Sequence, residues 1–174
     1  MFKKLLALSA ALLIVTSSIG ADAADIKVTV SEMHLCCGAC VTAVKKAVAK
    51  VDGVKETVDQ DGETTVLVGK KEAVQKAIDE LAAAGFHGKL DNKEVAFKDV
   101  KIPDGKVKKI EIVGIHNCCA ACNDGLKKAV KTVKGITSEN LTAKKDTFTA
   151  EGDFVAKDLI TALLNAGFHC KIKE

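Results

Sequence analysis

His34-Leu35-Cys36-Cys37-Gly38-Ala39-Cys40 occurs in this chain a second time, as His116-Asn117-Cys118-Cys119-Ala120-Ala121-Cys122, with every matched position displaced by 82 residues. The shared pattern is H-x-C-C-x-A-C, and it takes six of the seven cysteines. Other matches keep the same offset. Lys45-Lys46-Ala47-Val48 returns as Lys127-Lys128-Ala129-Val130, and Ala84-Gly85-Phe86-His87 returns as Ala166-Gly167-Phe168-His169. Agreement without a net insertion makes duplication of one module the simplest account, with two small domains the expected organisation of 174 residues.

Outward from the first cluster, hydrophobic period assigns the elements. Ile26, Val28 and Val30 alternate with Lys27 and Thr29, the pattern of a half-buried strand. After Cys40, Val41, Val44, Val48 and Val51 fall on one face of a helix with lysines opposite, and Gly53 is the expected stop. Two strands, 54–59 and 64–68, flank the hairpin signal Asp61-Gly62. A second helix is predicted over 71–84, ending at Gly85, and a last strand over 86–90. The order strand, helix, strand, strand, helix, strand is the split-βαβ, ferredoxin-like unit. It repeats with Ile110 and Ile112, Leu126, Val130 and Val133, Gly135, Phe148, and Leu159, Ile160 and Leu163 at corresponding places. The expected fold class is α+β, two tandem ferredoxin-like βαββαβ domains after a signal peptide.

Lys3 and Lys4, the apolar run from Leu5 to Val15 and Ala21-Asp22-Ala23 read as a secretion signal cut near Ala24. The expected division is 1–23 signal peptide, 24–90 first domain, 91–106 linker with a strand-like piece over 95–100, and 107–174 second domain. The mature chain is expected in a periplasm or secreted, without membrane insertion. With no Trp or Tyr the cores should be small and aliphatic. A net charge of only +3, with lysines interspersed among acids, argues against nucleic acid as a partner.

Each cluster is expected between a strand and a helix N-terminus, where free N–H groups and the helix dipole favour thiolate over thiol. Cys37 with Cys40, and Cys119 with Cys122, form C-x-x-C pairs whose sulfurs can converge on one ion. Cys36 and Cys118 add sulfur donors, and His34 and His116 add imidazoles. Three thiolates and an imidazole suit Zn(II); two or three thiolates suit Cu(I) or another thiophilic ion. In a βαββαβ unit the segment after the second helix returns to the same end of the sheet, which makes His87 and His169 further candidates, as ligands or as groups that orient them. Cys170 shares the parity of Phe168 and Ile172 and reads as a small core residue.

The arrangement resembles the heavy-metal-associated domain of periplasmic mercury-binding proteins, copper chaperones and the N-terminal arms of metal-pumping P-type ATPases. The residues that carry the resemblance are Cys37-Gly38-Ala39-Cys40 after a strand, Val41 and Val44, Val51-Asp52-Gly53-Val54 and Ala84-Gly85-Phe86. Their counterparts are Cys119-Ala120-Ala121-Cys122, Val133-Lys134-Gly135-Ile136 and Ala166-Gly167-Phe168. The likeness spans 25–90 and 107–172. It implies soft-metal binding through Cys37, Cys40, Cys119 and Cys122 and transfer to a partner by ligand exchange. Cu(I) or Zn(II) is the expected ion, with Hg(II) a further thiophilic choice, and a metal-transporting membrane protein or another metallochaperone is the expected partner.

The sequence departs from the family where Gly-Met-Thr usually precedes the first cysteine. Here stand His34-Leu35-Cys36 and His116-Asn117-Cys118, with Met33 and Ile115 available to fill the pocket of the family's buried Met. The added Cys and His suggest a tighter site of higher coordination. The two clusters could hold separate ions or share one. No enzyme is expected, since no Ser-His-Asp set, carboxylate pair or phosphate loop is present. The rival reading is an extracytoplasmic thiol-disulfide oxidoreductase using the C-x-x-C pairs. Neither repeat contains the proline that thioredoxin-like sites place opposite their cysteines. A third reading has the cysteines simply paired as structural disulfides.

Overall fold

The structure is a computed structural model that describes residues 24–173. The expected signal segment, 1–23, lies outside the described residues. Alternation places Val28 and Val30 of β1 (Ile26–Ser31) fully inside. The helix α1 (Gly38–Val48) buries Cys40, Val44, Ala47 and Val48, a stripe at helical spacing, and carries Lys45 and Lys46 in its last turn, where they complement the negative end of the dipole. It ends at Val48, before the expected Gly53 stop; Gly53, with φ +79°, instead turns the chain into the next strand.

The hairpin β2 (Val54–Asp59) and β3 (Thr64–Gly69) follows, then α2 (Lys71–Ala83), whose buried face is Val74, Ala77, Ile78, Leu81 and Ala82. The closing strand is short: β4 covers only Lys89–Leu90. All pairings are antiparallel, in the order β2-β3-β1-β4. The second half has β5 (Lys106–Val113), α3 (Ala120–Lys131), β6 (Ile136–Glu139), β7 (Thr147–Val155), α4 (Ala156–Asn165) and β8 (Lys171–Ile172). Its order is β6-β7-β5-β8. The fold is α+β, with two antiparallel sheets and two helices to each. No helix among the described residues is long and apolar enough to cross a membrane.

Two expectations need correction. The strand expected over 86–90 loses its first half because Phe86 bridges Phe168 of the other half, antiparallel. His87 N–H donates to Gly167 O, and His169 N–H to Gly85 O, both at 3.0 Å. The backbone groups expected to extend the sheet thus join the two halves. The strand-like piece expected over 95–100 is absent; that stretch has no regular structure and is fastened to α2 instead. Gln75 Nε2 donates to Ala96 O (2.8 Å), and Ala96 N–H donates to Gln75 Oε1 (3.0 Å). Val95 is buried in the core, and Lys98 pairs with Asp79 at 2.6 Å. Satisfying backbone groups with a side-chain amide removes the need for a strand partner. One continuous apolar core runs from Val28 and Leu67 in the first half to Phe154 and Leu159 in the second.

Candidate metal centre

The same loop is built twice. After β1, Glu32 takes a positive φ of 58°, and after β5, Gly114 takes 71°, so each strand turns sharply away from its sheet. The residues that follow alternate. Met33 and Leu35 are buried, as are Ile115 and Asn117, while His34, Cys36, His116 and Cys118 are half-buried on the other side. Cys37 and Cys119 are the N-cap residues of α1 and α3, in extended conformation, and Cys40 and Cys122 sit buried in the first turns. Leu35 and Asn117 occupy equivalent places. The burial of Asn117 is compensated by Asn123: Asn117 Nδ2 donates to Asn123 Oδ1 at 3.3 Å and to Thr142 O at 3.0 Å. The pocket that Leu35 fills with a side chain is thus filled in the second loop by a bonded amide pair.

The two cysteine loops meet. Cys36 Sγ lies 3.4 Å from Cys122 Sγ and 3.6 Å from Cys119 Sγ; Cys40 Sγ lies 3.7 Å from both Cys118 and Cys122. Cys37 Sγ is 3.9 Å from Cys118 Sγ and 4.0 Å from Cys119 Sγ. Within each loop, the Cys37–Cys40 and Cys119–Cys122 pairs stand at 3.7 and 3.8 Å. All seven cysteines are free thiols. These separations match a shared ion. Ligands at about 2.3 Å from a metal stand ~3.8 Å apart in tetrahedral geometry and ~4.0 Å apart in planar trigonal geometry.

The histidines reach across. The His34 ring packs on Phe168 at 4.4 Å and the His116 ring on Phe86 at 4.2 Å, so each loop's imidazole rests on the other half's phenyl. His34 lies within 4.8 Å of the Cys36 and Cys122 sulfurs, and His116 within 4.8 Å of those of Cys40, Cys118 and Cys122. Nε2 of both histidines is buried without a hydrogen-bond partner, an arrangement that suits donors facing an ion. His87 and His169 are elsewhere. Their rings lie 5.7 Å apart, with Phe97 at 4.5 Å from His87, and neither joins a donor group among the described residues. The reason is the Phe86–Phe168 bridge, which turns the following residues toward each other and away from the thiols. Cys170 is fully buried and outside the cluster, with burial pushing its thiol up to about 12.

Crowding of thiols sets their ionisation. Cys40 is lowered, chiefly by the hydrogen bond from Cys122, whose own thiol is raised in turn. Burial raises Cys36 and pushes Cys118 up to about 12. Cys119, which accepts the backbone N–H of Cys122 at the start of α3, falls to about 7. Thiol-to-thiol hydrogen bonds thus favour the thiolate at Cys40 and the protonated form at Cys122. A soft cation replaces those protons and relieves the repulsion among the remaining sulfurs.

A heavy metal-associated isoprenylated plant protein of Arabidopsis thaliana is 27% identical over 155 residues, which is 76% of this chain and 39% of the relative. The chain resembles heavy-metal-associated proteins. It spans about two fifths of the length of this relative. No protein-family model matches the chain. Among solved structures, the N-terminal soluble domains of Bacillus subtilis CopA cover 86% of the chain and 94% of their own length, at 20% identity and a TM-score of 0.32. A second structure, of the water-soluble region of the same P-type ATPase, covers 86% and 91%, at 21% identity and a TM-score of 0.33. Cysteine and histidine side chains of both loops thus form groups that could hold a metal ion.

Proposed function

We propose that the chain is an exported binder of soft metal ions, copper, zinc or mercury, made of two duplicated modules and working as a metallochaperone, scavenger or sensor. The observation that carries this reading is the convergence of six thiols from two loops to contact distance. Free thiols packed this closely would oxidise in an oxidising compartment, and a bound soft ion removes that liability. Cys37 and Cys119 remain half-exposed at the helix starts, so an incoming thiolate from a metal transporter or another metallochaperone has a sulfur-side approach for ligand exchange. The role is binding and transfer rather than catalysis.

The test is metal content of the chain purified anaerobically from its native compartment, with a Cys37→Ser/Cys119→Ser variant as control. Bound copper, zinc or mercury that the variant loses supports the proposal. A metal-free protein with its cysteines disulfide-bonded and reducible at a mild potential would overturn it in favour of thiol-disulfide exchange.

A further inference from the structure

The six sulfurs have a definite polyhedral arrangement. Besides the contacts already given, Cys36 Sγ and Cys40 Sγ are 3.7 Å apart, as are Cys118 Sγ and Cys122 Sγ, and the vicinal pairs Cys36/Cys37 and Cys118/Cys119 lie within 4.8 Å. The pairs outside this set are Cys36 with Cys118, Cys37 with Cys122, and Cys40 with Cys119. Six points joined in this way are the corners of an octahedron, with those three pairs at opposite corners.

An octahedron of sulfurs restricts what it can hold. No four of its corners are mutual neighbours, so it offers no tetrahedral all-sulfur site of the kind Zn(II) takes in a four-cysteine centre. What it offers is triangular faces. Cu(I) is a soft ion that three thiolates satisfy, and a planar trigonal ion with bonds of about 2.3 Å needs sulfurs ~4.0 Å apart, close to the ten edges that measure 3.4–4.0 Å. Four alternate faces are Cys36–Cys37–Cys40, Cys36–Cys119–Cys122, Cys37–Cys118–Cys119 and Cys40–Cys118–Cys122. In that set every sulfur belongs to two faces, so every thiolate bridges two ions.

We propose that the two loops jointly hold one thiolate-bridged tetranuclear Cu(I) cluster, an ion on each of these four faces, in place of one ion per C-x-x-C pair. This rests on the soft-metal reading above and specifies its ion and stoichiometry. On assembly every thiol still protonated gives its proton to solvent, so that six thiolates meet four Cu(I) ions, and copper stays Cu(I), so no electron moves. The residual charge of the cluster, about two negative units, faces the N-termini of α1 and α3, whose dipoles favour an anion. Cys36 and Cys118, which lie outside the C-x-x-C pairs, are the corners that create the faces. Without them the remaining sulfurs, Cys37, Cys40, Cys122 and Cys119, form a closed ring of edges with no triangle.

The experiment is anaerobic titration of the reduced mature chain with Cu(I) against a chromophoric Cu(I) chelator, read by native mass spectrometry and copper X-ray absorption. The expected result is a monomer that goes from empty to about four copper ions with few intermediate species. The copper should be three-coordinate in sulfur, with a copper–copper scattering path. In the Cys36→Ser/Cys118→Ser variant the content should fall at least twofold and that path should vanish. A wild-type chain that takes one or two ions stepwise, without copper–copper scattering, overturns the cluster and leaves soft-metal binding intact. So does one zinc ion held by Cys40, His116, Cys118 and Cys122 that copper cannot exceed in number. A reduced chain that binds no metal overturns both. The wild-type stoichiometry decides the matter whether or not the variant folds.

Discussion

At the scale of single residues, the second loop has exchanged an apolar contact for a polar one. Asn117 and Asn123 stand where the first loop has Leu35 and Val41, and each buried amide is supported by the other. Asn117→Leu alone is expected to destabilise the chain by about 1–3 kcal/mol, because it leaves Asn123 buried without its partner. Adding Asn123→Val should recover most of that loss, since Asn117 Oδ1 has no partner even in the parent. Urea unfolding of the three variants measures it as a double-mutant cycle. Cys170 makes the opposite case. Fully buried, with its thiol held at about 12, it should resist alkylation in the native metal-free chain while Cys37 and Cys119, half-exposed at the helix starts, react. Cys170→Ala should leave metal content unchanged and lower stability by about 1 kcal/mol, the scale of a small cavity. The Cys and His types at cluster spacing were legible in the sequence because their chemistry is carried by the side chain itself. The Asn pair was not legible: nothing local signalled that Asn123, six positions on in α3, would pair with Asn117.

Among elements, the join between the halves depends on two glycines that the sequence marks only as helix stops. Gly85 and Gly167 both have φ +83°, a conformation that costs an L-residue roughly 1–2 kcal/mol. A Cβ on Gly85 would also strike the backbone N of His116, and one on Gly167 the backbone N of His34. Gly85→Ala is therefore expected to lower the melting temperature and to reduce metal loading together, by displacing the loop of the other half. A loss of stability with full metal loading would show the loops to be positioned by something else. The same join brings His87 and His169 face to face. Burial first, and then the neighbouring imidazole, bring His87 down to about 4 from its ordinary 6.5, and burial lowers His169. Both are thus folded in neutral form. The stability these histidines contribute is complete above pH 6.5 and is lost as the pH falls from there toward 4, because the unfolded chain takes up the protons first. The urea midpoint of the reduced, metal-free chain should fall between pH 7 and pH 4.5, and a His87→Asn/His169→Asn variant should show a shallower fall. The βαββαβ topology placed these two histidines beside the thiols. The structure pairs them because Phe86 and Phe168 bridge each other, an encounter between segments 82 residues apart that no local pattern encodes.

For the molecule as a whole, metal is expected to act as a clamp. A ligand present at a hundred times its dissociation constant adds about 2.7 kcal/mol to folding, so the metal-loaded chain should melt above the metal-free one. A chelator should remove the difference. Strand and helix periods made the α+β order readable, since β1, α1 and α2 each bury the residues their periods select. What stayed hidden was the meeting of the two clusters, because spacing within a loop says nothing about distance between loops. That meeting has a kinetic meaning. When half of a site must arrive from another molecule, occupancy falls as the protein is diluted. Here the stretch 91–105, fastened to α2 through Gln75, tethers the second loop to the first, so each encounter is intramolecular and governed by a fixed effective concentration. The six thiols meet in a lone molecule as readily as in a crowd, so their juxtaposition does not depend on how many copies a cell makes.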